Sequence, residues 1–217
     1  MKRYFIVAAA LALLMTDANA ARESRKEKAD SVKTYALQEV QVLSTRAGET
    51  TPITHTDISK NQIKSMNYGK DIPFILSLTP SVTTTSDAGN GIGYASIRVR
   101  GTDPTRINIT ANGVPINDSE SSNVYWTNMP DFASSVESMQ IQRGVGTSTN
   151  GAGAFGATIN MQTENIGVKP FGGVDLSAGS YGSHKETFRF GTGLINGHWG
   201  FQGRLSNVGR IYRPRFV

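Results

Sequence analysis

The sequence predicts an α+β domain, a small mixed sheet with short helices, followed by a separate run of antiparallel strands. Three observations carry this. Between residues 95 and 163, short runs alternate apolar and polar side chains, so each strand has one apolar face. Ahead of them, two short helical patterns can cover that face. After Pro170 the alternation resumes with aromatics on the apolar side and turn-like breaks between the runs.

The chain opens with the basic Met1-Lys2-Arg3, an apolar run over residues 4–15 and the small-x-small Ala18-Asn19-Ala20. This is the layout of a secretory signal peptide. The apolar run is shorter than the roughly 20 residues a spanning helix needs. Residues 1–20 are therefore set aside from the fold. The chain contains no cysteine, which excludes disulfides, thiolate chemistry and cysteine-based zinc sites. The formal net charge is +5, with Arg204, Arg210, Arg213 and Arg215 in a last stretch that lacks acids. For an exported protein this basic tail does not point to nucleic acid as a partner.

Residues 21–36 are polar, with mixed charges, and read as a flexible leader. Residues 37–43 then form a short extended segment. Ile63 and Met66 mark a first helix that ends near Asn67-Tyr68-Gly69. A second begins with Asp71 as cap and Pro73 in its first turn, shares a face of Ile72, Ile75 and Leu76, and stops at Pro80. Ile97 and Val99, then Ile107, Ile109 and Ala111, alternate with polar residues. Asn112-Gly113 is a hairpin signal, because both residues tolerate positive φ, and Pro115 belongs at a sheet edge. Residues 130–136 allow one helical turn. Met139 and Ile141, then Ala157, Ile159 and Met161, complete the sheet. Beyond Pro170, Val174 and Leu176, Phe188 and Phe190, and Trp199, Phe201 and Leu205 give three alternating runs. A soluble β-meander and the first strands of a transmembrane β-barrel fit this pattern equally.

Two motifs lead elsewhere. Gly151-Ala152-Gly153-Ala154-Phe155-Gly156 matches the glycine pattern of nucleotide-binding folds, with Asp175 about 20 residues on. That motif should open a helix, whereas residues 157–162 alternate like a strand, so an NAD-binding enzyme is the remote alternative. His55, His184 and His198 have no metal-ligand spacing. No catalytic residues, metal or cofactor are expected, and the chain does not read as an enzyme. An exported carbohydrate-binding or adhesive β-domain is the alternative of a different class.

Several blocks in order resemble one family. They are Leu78-Thr79-Pro80-Ser81-Val82, then Ile97-Arg98-Val99-Arg100-Gly101 with Arg106-Ile107-Asn108-Ile109. Asn112-Gly113-Val114-Pro115 follows, then Val136-Glu137-Ser138-Met139-Gln140-Ile141-Gln142-Arg143-Gly144, then the glycine-rich stretch 148–163. Together they are similar to the plug domain of TonB-dependent outer-membrane receptors, from about Leu37 to Thr163. Asn112 stands where the family commonly has Asp, and Gln140 where it has Glu.

The resemblance implies a plug at residues 37–165 and the start of a barrel at 170–217. A barrel of about 22 strands has a lumen wide enough to need plugging. The chain has room for about three such strands, so a truncated or frame-shifted reading of a longer gene is expected. The resemblance further implies gated, energy-coupled uptake of a scarce nutrient, foremost a ferric siderophore. TonB would grip Glu39, Val40, Gln41 and Val42 as an added strand. Arg100, Arg106 and Arg143 would pair with acidic residues of the barrel wall. Outward loops at 84–94 and 118–128 would offer Asn90, Tyr94, Tyr125 and Trp126 to the ligand. The implied location is the cell outer membrane for a full-length receptor, or the periplasm for this chain alone.

Overall fold

The computed structural model describes residues 46–48, 50–87, 89, 91–146 and 154–209. The first described element is β1 (His55–Ser59), which runs into helix α1 (Lys60–Met66). The turn is fixed by Gln62, whose Oε1 accepts the Ser59 backbone N–H at 2.9 Å. Helix α2 (Ile72–Leu76) follows, with Pro73 in its first turn. β2 (Val82–Ser86) and β3 (Ala95–Val99) form an antiparallel pair of their own. β4 (Ile107–Ala111), β5 (Val114–Pro115), β6 (Val136–Arg143) and β7 (Ala157–Thr163) join β1 in a five-stranded sheet ordered β1-β6-β7-β4-β5. Only β4 and β7 are parallel within it, so the sheet is mixed as expected.

The register explains the alternation. Met139 lies opposite Met161, and Ile141 opposite Ile159, which in turn faces Ile109. These residues and Ile107 are 2% exposed or less. They pack with Ile63, Ile72, Ile75 and Leu76 of the helices and with Ile97 and Val99 of β3. Asn112 (φ 52°) and Gly113 (φ 82°) make the left-handed two-residue turn into β5, which places Pro115 at the sheet edge. The Asn112 amide donates to Thr163 Oγ1 at 2.8 Å and accepts the Thr163 N–H at 2.9 Å, so this side chain also closes the end of β7.

The sheet's other face departs from expectation. Asn108, Thr110, Gln140, Gln142, Thr158 and Asn160 form a polar layer that is buried rather than solvated. Part of the cover is the segment at Arg46 and Ala47, which bonds to Ser138, Gln140 and Asn160. Residues 82–86, of which 84–86 read as loop from the sequence, are strand because their backbone pairs in register with β3. The single turn expected at 130–136 is a 3-10 turn at Phe132–Ser135. Gly156 begins the approach to β7, and a Cβ there would lie 2.4 Å from Thr102 Oγ1 and 3.1 Å from the Arg106 carbonyl. Residues 157–163 are strand, as the rejection of a nucleotide-binding motif requires.

β8 (Phe171–Ala178), β9 (His184–Gly191) and β10 (Gln202–Gly209) form a separate antiparallel sheet in the order β10-β9-β8. β10 starts three residues later than the Trp199 run suggested, because Trp199 closes a tight loop by bridging to Ile195. Asn196 and Gly197, both at positive φ, turn that loop.

Ile141→Ala should cost about 2–5 kcal/mol, since it deletes buried methyl groups where the sheet and helices meet. A lowered denaturant midpoint with an unchanged slope would register it.

Candidate functional site

The sheet β8–β10 turns its apolar face away from the body. Val174, Phe188 and Leu205 lie side by side across the three strands, next to Leu176 and Phe190, and all five are exposed. The opposite face carries Asp175, Ser177, Lys185, Thr187, Arg189, Arg204 and Ser206. It packs on the body, with Lys185 4% and Thr187 1% exposed. This reverses the usual arrangement of a soluble sheet, whose polar face meets water.

Asp131 is the centre of the contact. It sits at φ 51°, just ahead of the 3-10 turn, and is buried. Its Oδ1 accepts from Lys185 Nζ at 2.7 Å, Ser134 Oγ at 2.7 Å and Asn67 Nδ2 at 3.3 Å. Its Oδ2 accepts from Arg204 Nη1 at 2.8 Å, Thr187 Oγ1 at 3.2 Å and Ser206 Oγ. Burial alone would raise the carboxyl's pKa. Hydrogen bonds from Lys185, Ser206 and Ser134, and the charge of Lys185, outweigh that and hold it below the ordinary value. Two flanking clusters continue the seam. Arg189 bonds to Asp175 at 2.8 Å and lies 3.7 Å from Glu164, while Lys60 reaches Glu164 at 3.1 Å and Glu137 at 2.9 Å. A cavity of about 350 Å³ lies where α1 and the turn at Phe132–Ser135 meet β8 and β9, lined by Ile63, Asn67, Val136, Asp175, Lys185 and Arg189 among others.

A second feature gathers several residues singled out from the sequence. Tyr94, Tyr125 and Trp126 line one cleft of about 200 Å³ with Asp87, Ser96 and Asn123. Tyr94 is exposed and Tyr125 is 45% exposed, but Trp126 is 3% exposed. Of the two rings at 125–126, Tyr125 is thus exposed and Trp126 is buried. Trp126 opens a short 3-10 turn that packs it into the core. Asn90 lies outside the described residues.

The loop carrying Tyr94 is pinned from below. The Asp71 N–H donates to the Gly91 carbonyl at 2.8 Å, and Asp71 Oδ2 accepts the Gly93 N–H at 2.8 Å. Asp71 was expected to cap α2 through its side chain. It holds the backbone cap position, but its carboxylate serves the loop instead. Burial pushes its pKa up to about 6, partly offset by the Gly93 N–H.

Arg100, Arg106 and Arg143 make no ion pair among the described residues. Arg100 (φ 52°) is exposed, and its Nη1 donates to the Arg143 carbonyl at 3.4 Å. Arg143 ends β6 and donates to Thr56 Oγ1. Arg106 closes a 3-10 turn at Pro104–Arg106 and is exposed. Glu39, Val40, Gln41 and Val42 lie outside the described residues. Sequence reasoning missed Asp131. The available signal was Lys185, Arg189 and Arg204 on the polar side of aromatic-rich strands, which call for an acid on whatever they face.

The description of the TonB-dependent receptor plug domain matches residues 47–158, a little over half of the chain. The chain belongs to the TonB-dependent receptor plug family. A probable TonB-dependent siderophore receptor of Acinetobacter baumannii, PirA, is 25% identical over 139 residues, covering 59% of this chain and 18% of PirA. The vitamin B12 transporter BtuB of Vibrio vulnificus is 24% identical over 192 residues, covering 88% of this chain and 30% of BtuB. FpvA of Pseudomonas aeruginosa, solved with bound pyoverdines, shares the fold with a TM-score of 0.61 at 18% identity, over 74% of this chain and 21% of FpvA. These relatives are receptors and transporters rather than enzymes. The chain spans between 18% and 30% of the two curated relatives.

Asp131→Asn leaves Lys185 and Arg204 without their carboxylate and should cost about 3–5 kcal/mol, as when one partner of a buried ion pair is removed. Faster amide exchange across β9 and β10 than in β6 and β7 would report it. Asp71 has its own pH signature. Between the ordinary carboxyl value of 3.8 and about 6, the native state keeps a proton that the unfolded chain has released. Stability therefore falls as pH rises through that window. Asp71→Asn should flatten this slope in unfolding experiments across pH 4–6.

Proposed function

We propose that this chain supplies the plug and first wall strands of an outer-membrane receptor that gates energy-coupled uptake of a scarce nutrient, foremost a ferric siderophore. The observation that carries this reading is the reversed polarity of β8–β10. A sheet with Val174, Leu176, Phe188, Phe190 and Leu205 facing outward, and charged residues facing the body, suits hydrocarbon outside and a hydrated interior within. In a closed barrel, the free edges of β8 and β10 would be paired by further strands, since lipid leaves no backbone group unpaired.

The same reading assigns the remaining roles. TonB grips Glu39, Val40, Gln41 and Val42 by strand addition at the periplasmic side. Tyr94 and Tyr125 present their rings to the ligand at the mouth of the cleft, with Trp126 as its floor. Arg100, Arg106 and Arg143 meet carboxylates on wall strands beyond β10. The siderophore assignment leans on PirA, a probable siderophore receptor, and on FpvA, solved with bound pyoverdines.

Uptake of ⁵⁵Fe-loaded siderophores by iron-starved cells tests the reading. Deleting the gene, or adding a protonophore, should abolish accumulation of one siderophore class, and Tyr125→Ala should weaken its binding at least tenfold. Undiminished uptake of every ferric siderophore tried would overturn the assignment. On the outward face, Leu176→Arg should cost about 2–4 kcal/mol near the bilayer midplane, read as reduced insertion into the outer membrane.

A further inference from the structure

Tyr94 stands at the mouth of the aromatic cleft and is 67% exposed. A ring that exposed makes few contacts of its own, so its position is set by the backbone that carries it. That backbone is a loop closed at its base by the Asp87 N–H, which donates to the Tyr94 carbonyl at 3.1 Å. Within the loop, Gly91 (φ 78°) and Gly93 (φ 97°) turn through the left-handed region. Gly91 is pressed against α2, where a Cβ would lie 3.2 Å from the Phe74 ring.

Both glycines are fastened to Asp71, whose N–H holds the Gly91 carbonyl and whose Oδ2 holds the Gly93 N–H. Asp71 is itself anchored. Its carbonyl accepts the Phe74 N–H at 3.0 Å, and the helix it opens buries Ile72, Ile75 and Leu76 to 2% exposed or less. Its carboxyl caps nothing in that helix, and among the described residues its hydrogen bond goes to Gly93. Burying a carboxyl for one such bond is costly, and the pKa raised to about 6 reflects that cost. The stability of α2 does not account for this side chain, whereas the loop does.

We infer that Asp71 is a positioning residue for the ligand cleft, setting Tyr94 at its mouth through the Gly93 amide. This rests on the reading that the cleft receives the ligand. Asp71 does not line the cleft, so it acts on a ligand only through the backbone at 91–94. Tyr125 is held separately, by its hydroxyl on Ser121 Oγ at 3.3 Å. The carboxylate, its protonated form and an asparagine amide all present an oxygen to the Gly93 N–H, so the role passes to Asn but not to Ala.

A nitroxide on Tyr94→Cys in the membrane-embedded receptor reads the loop without any ligand, since the chain has no cysteine of its own. Adding Asp71→Ala should sharpen the spectrum to that of a mobile loop, and adding Asp71→Asn should leave it unchanged. Equal spectra in all three overturn the inference. Affinity is read with a ⁵⁵Fe-loaded tris-hydroxamate and a ⁵⁵Fe-loaded tris-catecholate siderophore. For whichever binds, Asp71→Ala should weaken binding about fivefold, the worth of one hydrogen bond, and Asp71→Asn should restore it. Asp71→Ala should be non-additive with Tyr94→Ala and additive with Tyr125→Ala. Additivity with both shows a merely structural role and overturns the inference. If neither probe binds, or Tyr94→Ala changes nothing, the reading of the cleft has failed, and the nitroxide spectra alone decide whether Asp71 sets the loop. If Asp71→Ala does not insert, hydrogen exchange at the Gly93 amide of the unaltered receptor decides: protection supports the inference, and exchange as fast as in an open loop overturns it.

Discussion

The arrangement depends on one burial, the carboxylate of Asp131 beneath the polar face of β8–β10. A sheet that turns its apolar side chains outward must bring its charged side chains inward. Each of those charges then needs a partner on the body it covers or on a neighbouring strand. Asp131 receives Lys185 and Arg204 together, while Glu164 and Asp175 share Arg189. The left-handed backbone at Asp131 and the hydroxyls of Ser134, Thr187 and Ser206 complete its shell. The site is costly to break and gains little from hydrophobic burial. Its strength lies in hydrogen bonds that hold two surfaces in one register.

The same logic runs through the body. The five-stranded sheet has one oily face against the helices and one buried polar face. That second face is specified by complementary amides, hydroxyls and a guanidinium rather than by shape. Gln140 and Asn160 draw the incoming chain at 46–47 onto it, and Asp71 draws the loop at 91–93 onto α2. Polar fastenings of this kind can release without exposing a large apolar core. The Ile141–Ile159–Met139 core stays apart from them and keeps the sheet whole.

The alternation of residues such as Met139 and Ile141 was legible because a strand's period of two is a local property. So was the Asn112-Gly113 turn, since positive φ at two adjacent residues narrows the choice of side chains. Local pattern did not reveal that Trp126 turns inward while its neighbour Tyr125 does not. It also gave no hint that the Asp71 carboxylate serves a loop twenty residues on. Arg100, Arg106 and Arg143 drew notice by standing in recognisable blocks, whereas the ion pairs at the centre of the seam, Lys185 and Arg204 with Asp131, join residues more than fifty positions apart.

The sequence by itself determined the strands around Ile97, Ile107, Met139 and Ile159, the Asn112-Gly113 turn and the sidedness of those strands, because these follow from neighbouring residues and backbone sterics. The ordered blocks also carried the family. Only the tertiary structure decided which side of β8–β10 meets the body and which acid meets Lys185 and Arg204. An amphipathic strand has two faces but no label for inside and outside. That choice is made by the surface against which it packs, and here the surface is polar.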